Sequence, residues 1–130
     1  MDVTSILNHL NPAQEEAVTS DSQHLLVLAG AGSGKTRVLV HRIAWKIQVD
    51  NISPYGLLAV TFTNKAAREM RERIDELLGM SLRGMWVGTF HGLAHRLLKA
   101  HWRDVNLPEN FQILDSDDQL RLVKRVMRSM

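Results

Sequence analysis

His24-Leu25-Leu26-Val27-Leu28-Ala29-Gly30-Ala31-Gly32-Ser33-Gly34-Lys35-Thr36 runs from a short apolar stretch through a glycine-rich turn to a lysine and a threonine. The continuous run His24–Leu28 predicts a strand buried on both faces, as parallel sheets contain. Val38, Leu39, Ile43 and Ile47 then recur at helical spacing, so the turn joins a strand to a helix. A phosphate-binding loop lies in that context. Its glycines let backbone N–H groups turn inward around phosphate oxygens. The helix N-terminus adds partial positive charge. Lys35 would reach the β- and γ-phosphates, and the Thr36 hydroxyl would ligate Mg²⁺. Residues Ala29, Gly30, Ala31, Gly32, Ser33, Gly34, Lys35 and Thr36 satisfy G-x-x-x-x-G-K-[ST], except that Ala29 stands for the first glycine. The alternative is a glycine-rich turn with an incidental lysine; motif and context together favour a nucleotide-phosphate site.

Outward from this stretch the chain keeps a regular rhythm. Asn11-Pro12-Ala13-Gln14 opens a helix, with Asn11 as N-cap and Pro12 at the first helical position. Asn51 to Gly56 reads as a loop, and Leu57-Leu58-Ala59-Val60-Thr61 as a second buried strand. A helix from about Asn64 to Leu78 carries alternating charges and stops at Gly79. Trp86-Val87-Gly88-Thr89 predicts a third strand, followed by a helix through Leu93, Leu97 and Leu98. Strands alternating with helices imply βαβ units, a parallel sheet and the α/β class. After Trp102 a polar stretch leads to Phe111-Gln112-Ile113-Leu114, and Asp115 then caps a last helix with apolar Leu120, Val123 and Met127.

Composition narrows the classes further. The 130 residues are 45% hydrophobic and 23% charged, enough to bury a core, and no cysteine is present. Disulfide scaffolds, thiolate nucleophiles and cysteine-ligated zinc are thereby excluded. Sixteen Lys+Arg against fourteen Asp+Glu leave +2, so any nucleic-acid contact must come from local arrangement rather than global charge. The N-terminal MDVTSILNHLNP lacks the features of a signal peptide. No apolar run approaches the roughly 20 residues that span a bilayer. These features predict a soluble, cytoplasmic chain with no membrane partner.

Four blocks of this sequence resemble superfamily 1 DNA helicases of the UvrD/Rep type. They are Leu10-Asn11-Pro12-Ala13-Gln14, the loop Ala29–Thr36, Thr61-Phe62-Thr63-Asn64-Lys65-Ala66-Ala67, and Val87-Gly88-Thr89-Phe90-His91-Gly92. Similarity in order and spacing continues through Phe111–Asp115 to the end, and alanine at position 29 is common in that family's loop. The resemblance implies a P-loop NTPase of RecA-like fold with only part of its parallel sheet. Residues 1–89 would be a partial ATP-binding domain (1A), and residues 90–130 the beginning of an inserted helical subdomain (1B). It implies ATP and Mg²⁺ as cofactors and a parent enzyme that moves 3′→5′ on single-stranded DNA in repair and replication. Partners would be single-stranded DNA, single–double-strand junctions, a second RecA-like domain and DNA-repair proteins.

Residue by residue, the resemblance assigns Gln14 to the adenine edge and Arg37 to the base or ribose. Without it, Gln14 reads as a helix N3 residue returning a bond to Asn11, and Arg37 as a solvated helix-face arginine. Phe62, Thr63 and Asn64 end the second strand, and Thr89, Phe90 and His91 end the third. Open α/β sheets place ligands at that edge, and by resemblance both sets contact DNA. An exposed ring there stacks a base of any identity, whereas Phe62 and Phe90 as core filler is the alternative. Lys65, Arg71 and Arg73, offset by Glu69, Glu72, Asp75 and Glu76, read as a salt-bridged solvated face.

His91 and His95 have the i,i+4 spacing of metal ligands but no HExxH glutamate, so they do not read as a zinc site. ATP hydrolysis requires one acid for Mg²⁺ and one to activate water. Asp115 follows an apolar run, yet Ser116 stands where the second acid would be, and Asp115 reads better as an N-cap. By resemblance the acidic DExx box would lie beyond Met130, which predicts a segment that binds ATP without the acids to hydrolyse it. The alternatives are a truncated non-catalytic nucleotide- or DNA-binding module, and a small self-contained P-loop NTPase or kinase using Asp115.

Overall fold

The computed structural model describes residues 3–30 and 34–130. Ala31, Gly32 and Ser33, at the centre of the expected phosphate loop, lie outside the described residues. The chain divides into two compact units, Met1–Leu93 and Ala94–Met130.

In the first unit, α1 (Thr4–Leu7), α2 (Pro12–Thr19) and α3 (Lys35–Gln48) precede β1 (Leu58–Thr61), α4 (Asn64–Leu78) and β2 (Trp86–Thr89). Local chemistry sets these boundaries. Asn11 Oδ1 accepts the Gln14 N–H at 2.8 Å while Gln14 Oε1 accepts the Asn11 N–H at 3.0 Å, a complete capping box at the start of α2. Thr63 Oγ1 accepts the Ala66 N–H at 3.1 Å and starts α4. Gly79 ends α4 in the left-handed region, φ 67°, where its N–H bonds the carbonyls of Asp75 and Glu76. No helix among the described residues is long and apolar enough to cross a membrane.

β1 and β2 pair in parallel, with Leu58 opposite Trp86 and Thr61 opposite Thr89, and α4 forms the crossover between them. This is the expected βαβ unit, but the sheet has two strands among the described residues. The strand expected at His24–Leu28 does not form. Leu26 and Leu28 are 81% and 87% exposed. An apolar run becomes a buried strand only through a ladder partner and a cover on each face, and here the run pairs with neither β1 nor β2.

The core sits where α3, α4 and the sheet meet. Val40 and Ile43 of α3 pack with Met70 and Ile74 of α4, Ala59 of β1, Met85 and Val87. Another stripe of α3, Val38 and Ala44, packs with Ile6 and Val18 of the first two helices. α3 therefore feeds two clusters. Each fully buried Ile, Val or Met contributes about 1.5–3 kcal/mol. Leu39, expected among the apolar positions of α3, is instead 40% exposed.

Two arginines tie the elements together. Arg42 donates to the carbonyls of Ala17 at 2.7 Å and Ser20 at 2.9 Å, closing the C-terminal end of α2. Arg71 donates to the carbonyls of Met85 at 3.2 Å and Val87 at 2.9 Å, joining α4 to β2. The reading of α4's charges as a salt-bridged solvated face is corrected in part: Lys65, Glu69, Glu72, Arg73 and Glu76 are exposed. Arg71 turns toward the sheet, and none of the ion pairs among the described residues lies on α4.

α5 (Phe90–Ala100) begins in the first unit and continues into the second. In the second unit, Lys99 donates to the carbonyl of Phe111 at 2.8 Å and lies 4.3 Å from that ring's centre. His95 meets the same ring edge-on at 5.7 Å. Asp115 caps α6 (Ser116–Arg128), its Oδ1 accepting the Asp118 N–H at 2.7 Å. Leu120, Val123 and Met127 of α6 are exposed.

Candidate nucleotide and nucleic-acid site

Gly34 is the N-cap of α3 with φ 84°, a left-handed conformation that glycine adopts without penalty. The turn delivers Lys35 and Thr36 to the first turn of a helix whose leading N–H groups have no intrahelical partners. A Cβ on Gly34 would meet Gln14 Nε2 at 3.0 Å and Arg37 Cβ at 4.0 Å. Gln14 and Arg37 thus converge on the last glycine of the loop. Gln14 forms the bond to Asn11 expected of a helix N3 residue. Arg37 donates to the carbonyl of His9 at 3.3 Å. Ala29 and Gly30 precede the loop in neither helix nor strand, and a side chain on Gly30 would meet nothing within 4 Å.

Lys35 and Thr36 face a cleft of about 630 Å³ that they share with Thr61, Phe62 and Thr63 at the C-terminal end of β1. Leu25, Val27 and Leu39 line its apolar side. The parallel register places the ends of both strands side by side, so the residues that follow, Phe62 and Phe90, become neighbours. Their rings lie 5.8 Å apart at 44°. Phe62 is 89% exposed and Phe90 60% exposed. Neither ring fills the core of the described residues. Thr63 and Thr89 cap the helices that follow, the Thr89 Oγ1 accepting the Gly92 N–H at 3.0 Å. Each keeps its hydroxyl hydrogen to donate. Asn64 and His91 are exposed in the first turns of α4 and α5.

The structure thus gathers Lys35, Thr36, Phe62 and Thr63 around one cleft, with Phe90 against Phe62, and brings Gln14 and Arg37 together at Gly34. Sequence reasoning missed Arg42, which lines the same cleft while bonding the end of α2. Its helical spacing from Val38 is the one signal that it faces inward.

The chain is 68% identical over 130 residues to DNA helicase II of Escherichia coli, covering all of this chain and 18% of that protein. It is 60% identical over 132 residues to DNA helicase II of Haemophilus influenzae, covering 98% of this chain and 18% of that protein. It is 46% identical over 127 residues to the ATP-dependent DNA helicase PcrA of Staphylococcus aureus, covering 98% of this chain and 17% of that protein. The chain thus spans under a fifth of the length of these curated relatives. Residues 10–130 match the family described as the UvrD/REP helicase N-terminal domain, and the chain belongs to that family.

Proposed function

We propose that this chain supplies the ATP grip and the first single-strand contacts of an ATP-dependent 3′→5′ DNA helicase acting in cytoplasmic DNA repair and replication. The observation that carries this reading is the shared cleft of Lys35 and Thr36 with Phe62 and Thr63. The proposed phosphate grip at the start of α3 opens onto the same cleft as the C-terminal end of β1, where the exposed aromatic pair stands. We assign a RecA-like P-loop fold, with residues 1–89 as the ATP-binding domain 1A and 90–130 as the start of a helical subdomain 1B.

The residues present fit ATP and Mg²⁺. Left-handed Gly34, the open first turn of α3 and the hydroxyl of Thr36 form the donor set that phosphate and a hard cation require. Backbone N–H groups of the loop and Lys35 would bind the phosphates, Thr36 the Mg²⁺, and Gln14 with Arg37 the base. Bound Mg²⁺ would neutralise phosphate charge. Phe62 and Phe90 would stack bases irrespective of their identity, while Thr63, Asn64, Thr89 and His91 would bond the backbone. Stacking contributes about 1–3 kcal/mol per base. Asp115 serves as an N-cap, which argues against a self-contained NTPase that would need it as its metal acid. A second RecA-like domain, single–double-strand junctions and DNA-repair proteins complete the proposed set of partners.

Nucleotide and DNA titrations of the same variants test the assignment. Lys35→Ala should lose at least tenfold in ATP affinity and keep its affinity for an oligo-dT strand, and Phe62→Ala should do the reverse. ATP affinity that survives Lys35→Ala would falsify the phosphate-loop assignment.

A further inference from the structure

β2 has β1 on one side and no strand on the other among the described residues. An outer sheet edge presents unpaired N–H and C=O groups, a template on which another chain can pair. The segment Met85-Trp86-Val87-Gly88-Thr89-Phe90 makes that template hazardous. It carries no charge and no proline, and Trp, Val, Thr and Phe all favour strands.

Three bonds occupy this edge. Backbone groups of successive strand residues point to alternate sides, so Met85 and Val87 share one side while Trp86 and Gly88 share the other. Arg71 of α4 donates to the carbonyls of Met85 at 3.2 Å and Val87 at 2.9 Å. Paired strands lie about 4.8 Å apart, too close to admit a guanidinium between them. The two carbonyls therefore face away from β1. On the same side, the Val87 N–H donates to the Met85 carbonyl at 3.0 Å. The outward groups of Val87 and the outward carbonyl of Met85 thus all have partners inside the chain. Arg71 is also half-buried and enters no ion pair among the described residues. A strand arriving here would bury its charge with no anion beside it, which is costly.

We propose that Arg71 closes the outer edge of β2 against strand addition, and that the partner it excludes is the same edge of a second copy of this chain. Two identical edges pair antiparallel about a twofold axis, and no like charges within Met85–Phe90 oppose that pairing.

Sedimentation equilibrium of the full chain, without nucleotide or DNA, compares self-association in the parent, Arg71→Met, Arg71→Lys and Ile74→Val. Arg71→Met should associate at least tenfold more tightly than the parent. Arg71→Lys keeps a cation at the edge, which blocks pairing, and should stay within twofold of the parent. Ile74→Val loosens the neighbouring core without touching the edge bonds, so it should stay within twofold as well. Hydrogen exchange locates the new contact: the Val87 amide should exchange more slowly in associated Arg71→Met than in the parent. Circular dichroism verifies folding, and if Arg71→Met unfolds, Arg71→Gln carries the same expectation. Association no tighter than the parent, association matched by Ile74→Val, or unslowed exchange at Val87 would each overturn the proposal.

Discussion

Gln14 Nε2 of α2 lies 3.0 Å from the place where a side chain on Gly34 would begin. The relationship links a capping box, built from Asn11 and Gln14, to the turn that starts α3. The two helices are thereby positioned against each other at the proposed nucleotide grip.

Gly34→Ala should therefore act twice. A left-handed conformation costs an ordinary residue roughly 1–2 kcal/mol, and the new Cβ also displaces the Gln14 amide. Thermal melts should show destabilisation that a second change, Gln14→Ala, partly relieves. Additive effects of the two changes would show that the contact carries no energy.

Phe62→Ala and Phe90→Ala should leave stability within about 0.5 kcal/mol, because exposed side chains outside special features rarely do more. Affinity for single-stranded DNA should fall by about tenfold in each, in line with about 1–3 kcal/mol per stacked base. Fluorescence anisotropy with a labelled oligonucleotide reads this, and Phe62→Trp should restore binding. Loss of stability without loss of DNA affinity would return both rings to a structural role.

Arg71→Met keeps the length of the side chain but removes both bonds, to Met85 just before β2 and to Val87 within it. Hydrogen bonds from a charged group contribute about 1.5–3 kcal/mol, so urea midpoints should drop by a corresponding amount. Arg73→Met, two residues away and without such bonds, should leave the midpoint unchanged.

Ile74 is fully buried between α4 and the sheet. Ile74→Ala should cost about 2–5 kcal/mol through lost burial and a residual cavity. Chemical denaturation measures it, and a loss below ~1 kcal/mol would show that the core closes around the gap.

Much of the local architecture is legible in the chain. Asn11 with Pro12, Gly79 and Asp115 each announce a helix end, because the bonds involved join residues only a few positions apart. The alternation Leu57–Thr61, Asn64–Leu78, Trp86–Thr89 likewise announces a βαβ unit. The phosphate-loop pattern is visible for the same reason, since its chemistry is concentrated in eight consecutive residues, Ala29–Thr36.

Long-range partners are another matter. His24–Leu28 reads as a buried strand, yet it joins no sheet among the described residues, because a ladder needs a neighbour that composition cannot name. Arg71 and Arg73 look equivalent in sequence; only packing turns one to the carbonyls of β2 and leaves the other over an open cleft. Phe62 and Met70 are both apolar, and the structure exposes one and buries the other.

The sequence by itself determined where most helices start and stop and where the phosphate-loop pattern lies, since those properties depend on backbone conformation and neighbours within a turn or two. Only the tertiary structure decided that Phe62 and Phe90 stand together and exposed beside Lys35. The parallel register of β1 and β2 brings residues 28 positions apart to the same edge, and burial is a property of those non-local partners.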